Sequence, residues 1–316
     1  MYIKYHWVIE LQTTLREEFC MSGVSLHTGK EVKMKVCPAP ANHGVKFLRT
    51  DVRNENPIVQ ALYSAVSDTK FSTKISNLDG IGVQTIEHFM AALAGTGVHN
   101  ALVEIDGPEL PILDGSSREF VKKILLTGKR SLQKPVSGFK VTKEIEVREG
   151  MAWAKFVPAR SLSIDFCIDY SDTVIGHQNL RLSMENGAFV RELCDSRTFC
   201  RDSEISILKS KGLAKGGNLK NAIVLEPTRI RNVGGLRRTD ECVRHKMLDA
   251  MGDLSLAGGP VLAAFSSNRG GHTLTNRLLR AAFLDTENMI PTEIKKGHAT
   301  QLPGFGLRDA DLCNLV

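Results

Sequence analysis

Aromatic residues are scarce in this chain, 6% of 316 residues with two Trp and four Tyr, and no Arg/Lys-rich block occurs. Both absences argue against a nucleic-acid surface, which needs basic stripes and stacking side chains. The seven Cys, at 20, 37, 167, 194, 200, 242 and 313, are odd in number and contain no C-x-x-C pair. That excludes a disulfide framework or a Cys-based zinc module, and the thiols are read as reduced and structural. No apolar run approaches the roughly 18 residues that span a bilayer. The start, MYIKYHWVIELQ, lacks a signal peptide's apolar stretch and cleavage site. Repeats and low-complexity segments are also missing, so the expectation is a soluble, cytoplasmic, globular protein.

Hydrophobic residues make up 42% of the chain, and its net charge is +6. The length suits two domains of roughly 150 residues each. The mild basic excess suits an anionic small molecule or transient contact with anionic lipid at the inner membrane. Residues 1–10 alternate loosely and read as an extension or edge strand. EVKMKVCP places Val32, Met34 and Val36 on one face and Lys33 and Lys35 on the other, as in a half-buried strand closed by Pro38 and Pro40. Ile86, Phe89, Met90, Leu93 and Ala94 recur at helical spacing, with Thr85 as N-cap and Gly95 or Gly97 as stop. ALVEID reads as a strand, PELPILDGSS as a loop and SREFVKKILL as a helix.

The polar, aperiodic stretch TGKRSLQKPVSG marks a boundary between domains 1–130 and 137–316. Strand-like FKVTKEIEVREG and SLSIDFCIDY follow, then helices over 240–257 and 273–283, with a tail after about 284. Strands followed by helices in each half argue for two α+β domains rather than a βαβ winding.

Chemistry concentrates on three helix positions. In the helix from Asp240, Val243, Met247, Ala250, Met251 and Leu254 form the buried stripe, while His245, Asp249 and Asp253 share another face. At i and i+4, His245 and Asp249 are neighbours able to hold one ion, although a lone His-x-x-x-Asp is more often a surface pair. A catalytic zinc needs a third protein ligand. His88, at the first turn of the earlier helix, could supply it, with Glu87 beside it to take a proton; the same pair also reads as a helix-start carboxylate and a solvated His. His272, after Gly270-Gly271, is a cap or surface residue unless it adjoins such a site, where it could serve as an imidazolium acid oriented by Asp253. Thr198, in DSRTFC, fits a strand Thr equally well. Asp106, Glu109 and Asp114 are read as caps of backbone amides in a rigid loop, not as a carboxylate pair. KGLAKGGNLKN lacks the Walker pattern and reads as a mobile loop.

Taken together, SGVSLHTGKEVKMKVCPAPANHGVKFLRTD, TIEHFMAALAGTGVHNALVEIDGPELPILDGSSREFV, SRTFCRDSEISILKSKGLAKGGNLKNAIVL and DECVRHKMLDAMGDLSLAGGPVLAAFSSNRGGHTLTNRLLRA resemble the zinc-dependent UDP-3-O-acyl-N-acetylglucosamine deacetylases of lipid A synthesis. The likeness runs from about Leu11 to Phe283. It implies an α+β fold of two similar sheet-plus-helix domains packed with the active site between them. The expected cofactor is Zn2+, which Fe2+ could replace in a His2Asp site. It further implies that His88, His245 and Asp249 are the metal ligands, Glu87 the general base, His272 the general acid with Asp253 as its partner, and Thr198 the oxyanion donor. Lys246, near the pyrophosphate, His27, in the groove, and Phe199 would contact substrate. The stretch RDSEISILKSKGLAKGG matches the second-domain insert that shapes an acyl passage, with Ile205, Ile207, Leu208 and Leu213 supplying apolar surface. In isolation these four look like the buried side of a short helix. At about 0.8 kcal/mol per CH2, such a passage would strongly favour an acylated sugar.

The expected reaction is hydrolysis of the 2-acetamido group to acetate and UDP-3-O-acyl-glucosamine by a monomer with a small-molecule substrate, no nucleic-acid partner and no transmembrane segment. Ser72 stands where the family commonly has Cys, and Cys242 where an aromatic is usual. The competing readings are a zinc amidase acting on another N-acetyl sugar and a non-enzymatic nucleotide-sugar binding protein.

Overall fold

A computed structural model describes residues 10–294 and 300–315. In chain order the first half contains β1 (Leu11–Leu15), β2 (Phe19–Val24), β3 (Glu31–Pro38), β4 (Val45–Arg49), β5 (Ile58–Gln60), β6 (Val66–Asp68), β7 (Lys74–Ser76), β8 (Gly82–Val83), α1 (Glu87–Thr96), β9 (Ala101–Ile105) and α2 (Arg118–Thr127). There follow β10 (Lys129–Pro135), β11 (Ser137–Val141), β12 (Ile145–Glu149), β13 (Ala152–Pro158), β14 (Ser163–Tyr170), β15 (Gly176–Ser183), β16 (Phe199–Arg201), α3 (Asp202–Ser210), β17 (Ile223–Leu225), α4 (Glu241–Ser255), β18 (Val261–Asn268), α5 (His272–Leu284), β19 (Met289–Glu293) and α6 (Asp309–Cys313). The protein is a mixed α+β chain with two main sheets.

The two sheets share one pattern. In the first, strands run β2-β3-β9-β4-β5, antiparallel at every step except the parallel pair β9 and β4. In the second, β12-β13-β18-β14-β15 repeats that order, with β18 and β14 as the parallel pair. Each central strand is preceded by one helix, α1 or α4, and followed by another, α2 or α5. The alternation read from EVKMKVCP holds: Val32, Met34 and Val36 are buried and Lys33 is exposed.

Helices α1 and α4 pack against each other, and both are buried on nearly every side. Their approach is set by Gly252, where a Cβ atom would lie 2.0 Å from the Glu87 carbonyl oxygen. Hydrogen alone fits there.

Several local expectations need correction. Thr85 is not the N-cap of α1; Ile86 is, and Thr85 adopts φ 57° with its hydroxyl donating to Glu109 Oε1. Gly97 does end the helix, at φ 72°. The stretch at 127–138 is no open linker, because β10 pairs antiparallel with β1. Its two faces are both largely exposed, so no apolar period marked it. KGLAKGGNLKN is docked rather than loose: Lys215 and Gly216 donate backbone N–H groups to His27 and Leu26 carbonyls at 3.3 and 3.0 Å. Beyond residue 284, β19 joins β11, and the Arg191 guanidinium grips the buried Asp311 carboxylate of α6 at 2.7 and 2.8 Å. The reading of residues 1–10 falls, except for Glu10, outside the described residues.

The Gly252 contact generates a prediction. Gly252→Ala should force α1 and α4 apart and destabilise the protein by about 3 kcal/mol, seen as a lower thermal-unfolding midpoint; an unchanged midpoint would show that the crossing is not tight.

Candidate metal centre

Two helix starts and one helix face converge. Glu87 and His88 open α1, His272 opens α5, and α4 presents His245, Asp249 and Asp253 at i, i+4 and i+8. All six side chains are buried. Nε2 of His88 lies 3.5 Å and Nε2 of His245 3.3 Å from Asp249 Oδ1, and the three ligand atoms fall within 4.8 Å of one another. Among the described residues no other His, Cys, Asp and Glu cluster has this form.

The donor set fits a divalent cation. Asp249 Oδ1 is buried and accepts no hydrogen bond, which is costly for a carboxylate unless something positive completes it. His245 is neutral: burial pulls its pKa down to about 3. With its Nδ1 3.0 Å from the Ser196 carbonyl, which must receive that ring's proton, Nε2 is left with a lone pair toward Asp249. Burial opposes ionisation of Asp249, yet the charged Lys246 and His272 beside it hold its carboxyl well below the usual carboxylate range. Two imidazoles and one carboxylate are the ligand chemistry of catalytic zinc sites.

Beside this set lie a carboxyl and an imidazole, those of Glu87 and His272. Burial raises the pKa of Glu87, against the pull of His272 and His88. His272 is the reverse case: burial alone would lower it, but the Asp253 charge and hydrogen bond, with Glu87 and Asp249 nearby, raise it to about 9. Its Nδ1 lies 2.7 Å from Asp253 Oδ2, and its Nε2 4.0 Å from Glu87 Oε1. Thr73 joins the two halves of the pair, donating its backbone N–H to Glu87 Oε2 at 3.0 Å and its hydroxyl to Asp253 Oδ1 at 2.6 Å. No local pattern marks Thr73 beyond its proximity to Ser72, which instead accepts a bond from Gln84.

The remaining expected residues are placed at varying removes. The Phe199 ring meets His245 edge-on, 6.1 Å between centroids. Lys246 places its ammonium 2.6 Å from Asp249 Oδ2, and that carboxylate keeps it charged against burial. Thr198 is half-buried and held through its backbone by Gly115 and Ile223. His27 is buried with neither ring nitrogen partnered; its N–H goes to Glu109, the same carboxylate that takes the Thr85 hydroxyl two residues before Glu87. Glu109, Asp106 and Asp114 all accept backbone N–H groups, as the loop reading expected. Along α3 only Leu208 is buried, and Ile207 is 52% exposed, so these apolar residues are not one buried helix side. The cavity of about 560 Å³ bounded by Met90, Leu93, Met251 and Leu254 touches none of the six converging residues.

Comparison with known proteins gives a consistent answer. The family described as LpxC, UDP-3-O-acyl N-acetylglycosamine deacetylase, matches residues 12–283. A UDP-3-O-acyl-N-acetylglucosamine deacetylase of Phenylobacterium zucineum is 42% identical over 270 residues, covering 85% of this chain and 92% of that protein. One of Pasteurella multocida is 41% identical over 280 residues, covering 87% and 91%. A third, of Syntrophus aciditrophicus, is 38% identical over 277 residues, covering 88% and 87%.

The geometry around His272 makes a spectroscopic prediction. In metal-free protein the His272 imidazole should remain protonated up to about pH 9, and Asp253→Asn should bring its NMR titration down by about 1–3 pH units. A titration that stays put in Asp253→Asn would show that the carboxylate does not hold the proton.

Proposed function

The chain belongs to the UDP-3-O-acyl-N-acetylglucosamine deacetylase family, and we infer on that premise that it hydrolyses the 2-acetamido group of UDP-3-O-acyl-N-acetylglucosamine. The products are acetate and UDP-3-O-acyl-glucosamine, and the step is the deacetylation of lipid A biosynthesis. The observation that carries this reading is the buried His88, His245 and Asp249 set with Glu87 and His272 at its side.

We take the metal to be zinc, held by His88, His245 and Asp249. When bound, it supplies the Lewis acidity that activates a water and polarises an amide carbonyl. Glu87, its pKa raised by burial, accepts the proton of the attacking water. The Thr198 hydroxyl donates to the oxyanion that develops on the carbonyl, a contact typically worth about 10²- to 10³-fold in rate. His272, protonated through Asp253, delivers a proton to the departing sugar nitrogen as the C–N bond breaks. Thr73 holds base and acid partner in register. Lys246 would meet the pyrophosphate, and His27 and Phe199 would line the groove. Ile205, Ile207, Leu208 and Leu213 would flank the acyl chain.

The repeated strand order supports treating residues 1–130 and 137–316 as two similar domains with the active site between them. No described helix is long and apolar enough to cross a membrane, and we place the enzyme in the cytoplasm as a monomer.

Acetate release from a UDP-3-O-acyl-N-acetylglucosamine tests the reading. Wild type should turn over, and Glu87→Ala should retain metal while losing about 10²- to 10⁴-fold in kcat. Removing the acyl chain should lower kcat/KM sharply. Metal binding without acetate release would leave the metal centre standing and sink the substrate assignment.

A further inference from the structure

Five exposed lysines at the rim of the candidate site form no ion pair with any described residue: Lys30, Lys209, Lys211, Lys215 and Lys220. The arginines among them are matched instead, Arg201 with Asp172, Arg229 with Glu226, Arg231 with Asp202 and Arg237 with Asp114. Aliphatic side chains project from the same surface: Val24 is 43% exposed, Leu219 42% and Val233 101%.

Backbone contacts make these one surface. Lys211 closes α3 by donating to the Ile207 carbonyl, 3.3 Å. The segment that follows lies on the loop after β2: a Cβ on Gly216 would be 2.8 Å from Val24 Cγ1, and one on Gly29 would be 2.8 Å from Lys215 Cβ. Asn232 donates to the Leu219 carbonyl at 2.8 Å, setting Val233 beside Leu219. The patch adjoins the site, since Asn221 packs on Gly115, whose carbonyl accepts the Thr198 N–H at 2.8 Å.

We propose that this face docks on an anionic bilayer, with the aliphatic side chains entering the interfacial region and the lysines over lipid phosphates. The inference rests on the reading of the substrate as an acylated nucleotide sugar, whose chain belongs in a membrane. Charge and form favour lipid over a gripped diphosphate. A bound diphosphate is held by converging, largely buried donors. Here the cations are exposed and spread over two segments, with apolar side chains between them, as in proteins that lie on a membrane surface. The net charge of +6 points the same way.

Cosedimentation of the full chain with vesicles of phosphatidylglycerol and phosphatidylcholine tests this, alongside acetate release from a soluble short-acyl substrate. Wild type should bind the mixed vesicles, bind pure phosphatidylcholine poorly and be released by salt. The combined variant Lys209→Glu, Lys211→Glu, Lys220→Glu should bind about a hundredfold more weakly with short-acyl turnover unchanged. Val233→Glu, at a position too exposed to affect folding, should also weaken binding. Vesicle binding that is missing in wild type, or equal in the triple variant, overturns the proposal. So does a triple variant whose KM for the soluble substrate rises while vesicle binding stays the same, because the lysines would then serve the diphosphate. Failure of the deacetylase reading would look different: no acetate release from any of these proteins, with vesicle binding intact.

Discussion

Everything at the site depends on how closely α1 approaches α4. Gly252 lets the Glu87 carbonyl come within a distance that no side chain permits. That contact brings the first turn of a helix from one half of the chain onto the middle of a helix from the other. Without it, Glu87 and His88 would not meet His245, Asp249 and Asp253, because nothing in the local sequence joins them. The two sheets and their common strand order serve as scaffolds that present these two central helices.

Such an approach gathers charged groups away from bulk solvent. Two carboxylates on α4, one on α1, three imidazoles and the Lys246 ammonium share one buried space. Burying unpaired charge is strongly unfavourable, so each group must find a partner or change its protonation. His245 stays neutral, His272 stays protonated through Asp253, and Thr73 supplies two donors. Asp249 Oδ1 is left without a donor while two imidazole nitrogens face it. A divalent cation resolves that imbalance. The same arrangement sets the Glu87 carboxyl, its pKa raised by burial, only 4.0 Å from the His272 imidazole, its pKa raised to about 9 beside Asp253.

How far the sequence disclosed this depended on whether a feature was local. The strand at Glu31–Pro38 and the helices α1, α4 and α5 were legible because their apolar spacing is a local signal. So was the His245 and Asp249 pair, which one helical turn places together. That His88 could join them was one of two readings of its helix-start position, and resemblance to a family decided between them, since 157 residues of chain separate His88 from His245. Thr73 was invisible for a related reason: its hydroxyl bonds a carboxylate 180 positions away. β10 escaped notice because both of its faces meet solvent. Thr85 was misread as a cap because Thr before a helix usually is one, while Glu109 takes its hydroxyl here.

A single measurement bears on the central claim that ligands from both halves hold one ion: metal content and cobalt-substituted absorption of His88→Ala and Asp249→Ala beside wild type. One divalent ion per chain in wild type is expected, with affinity falling at least about tenfold and the cobalt spectrum altered in both variants. Full occupancy and an unchanged spectrum in His88→Ala would contradict it, since the ion would then be held by α4 alone.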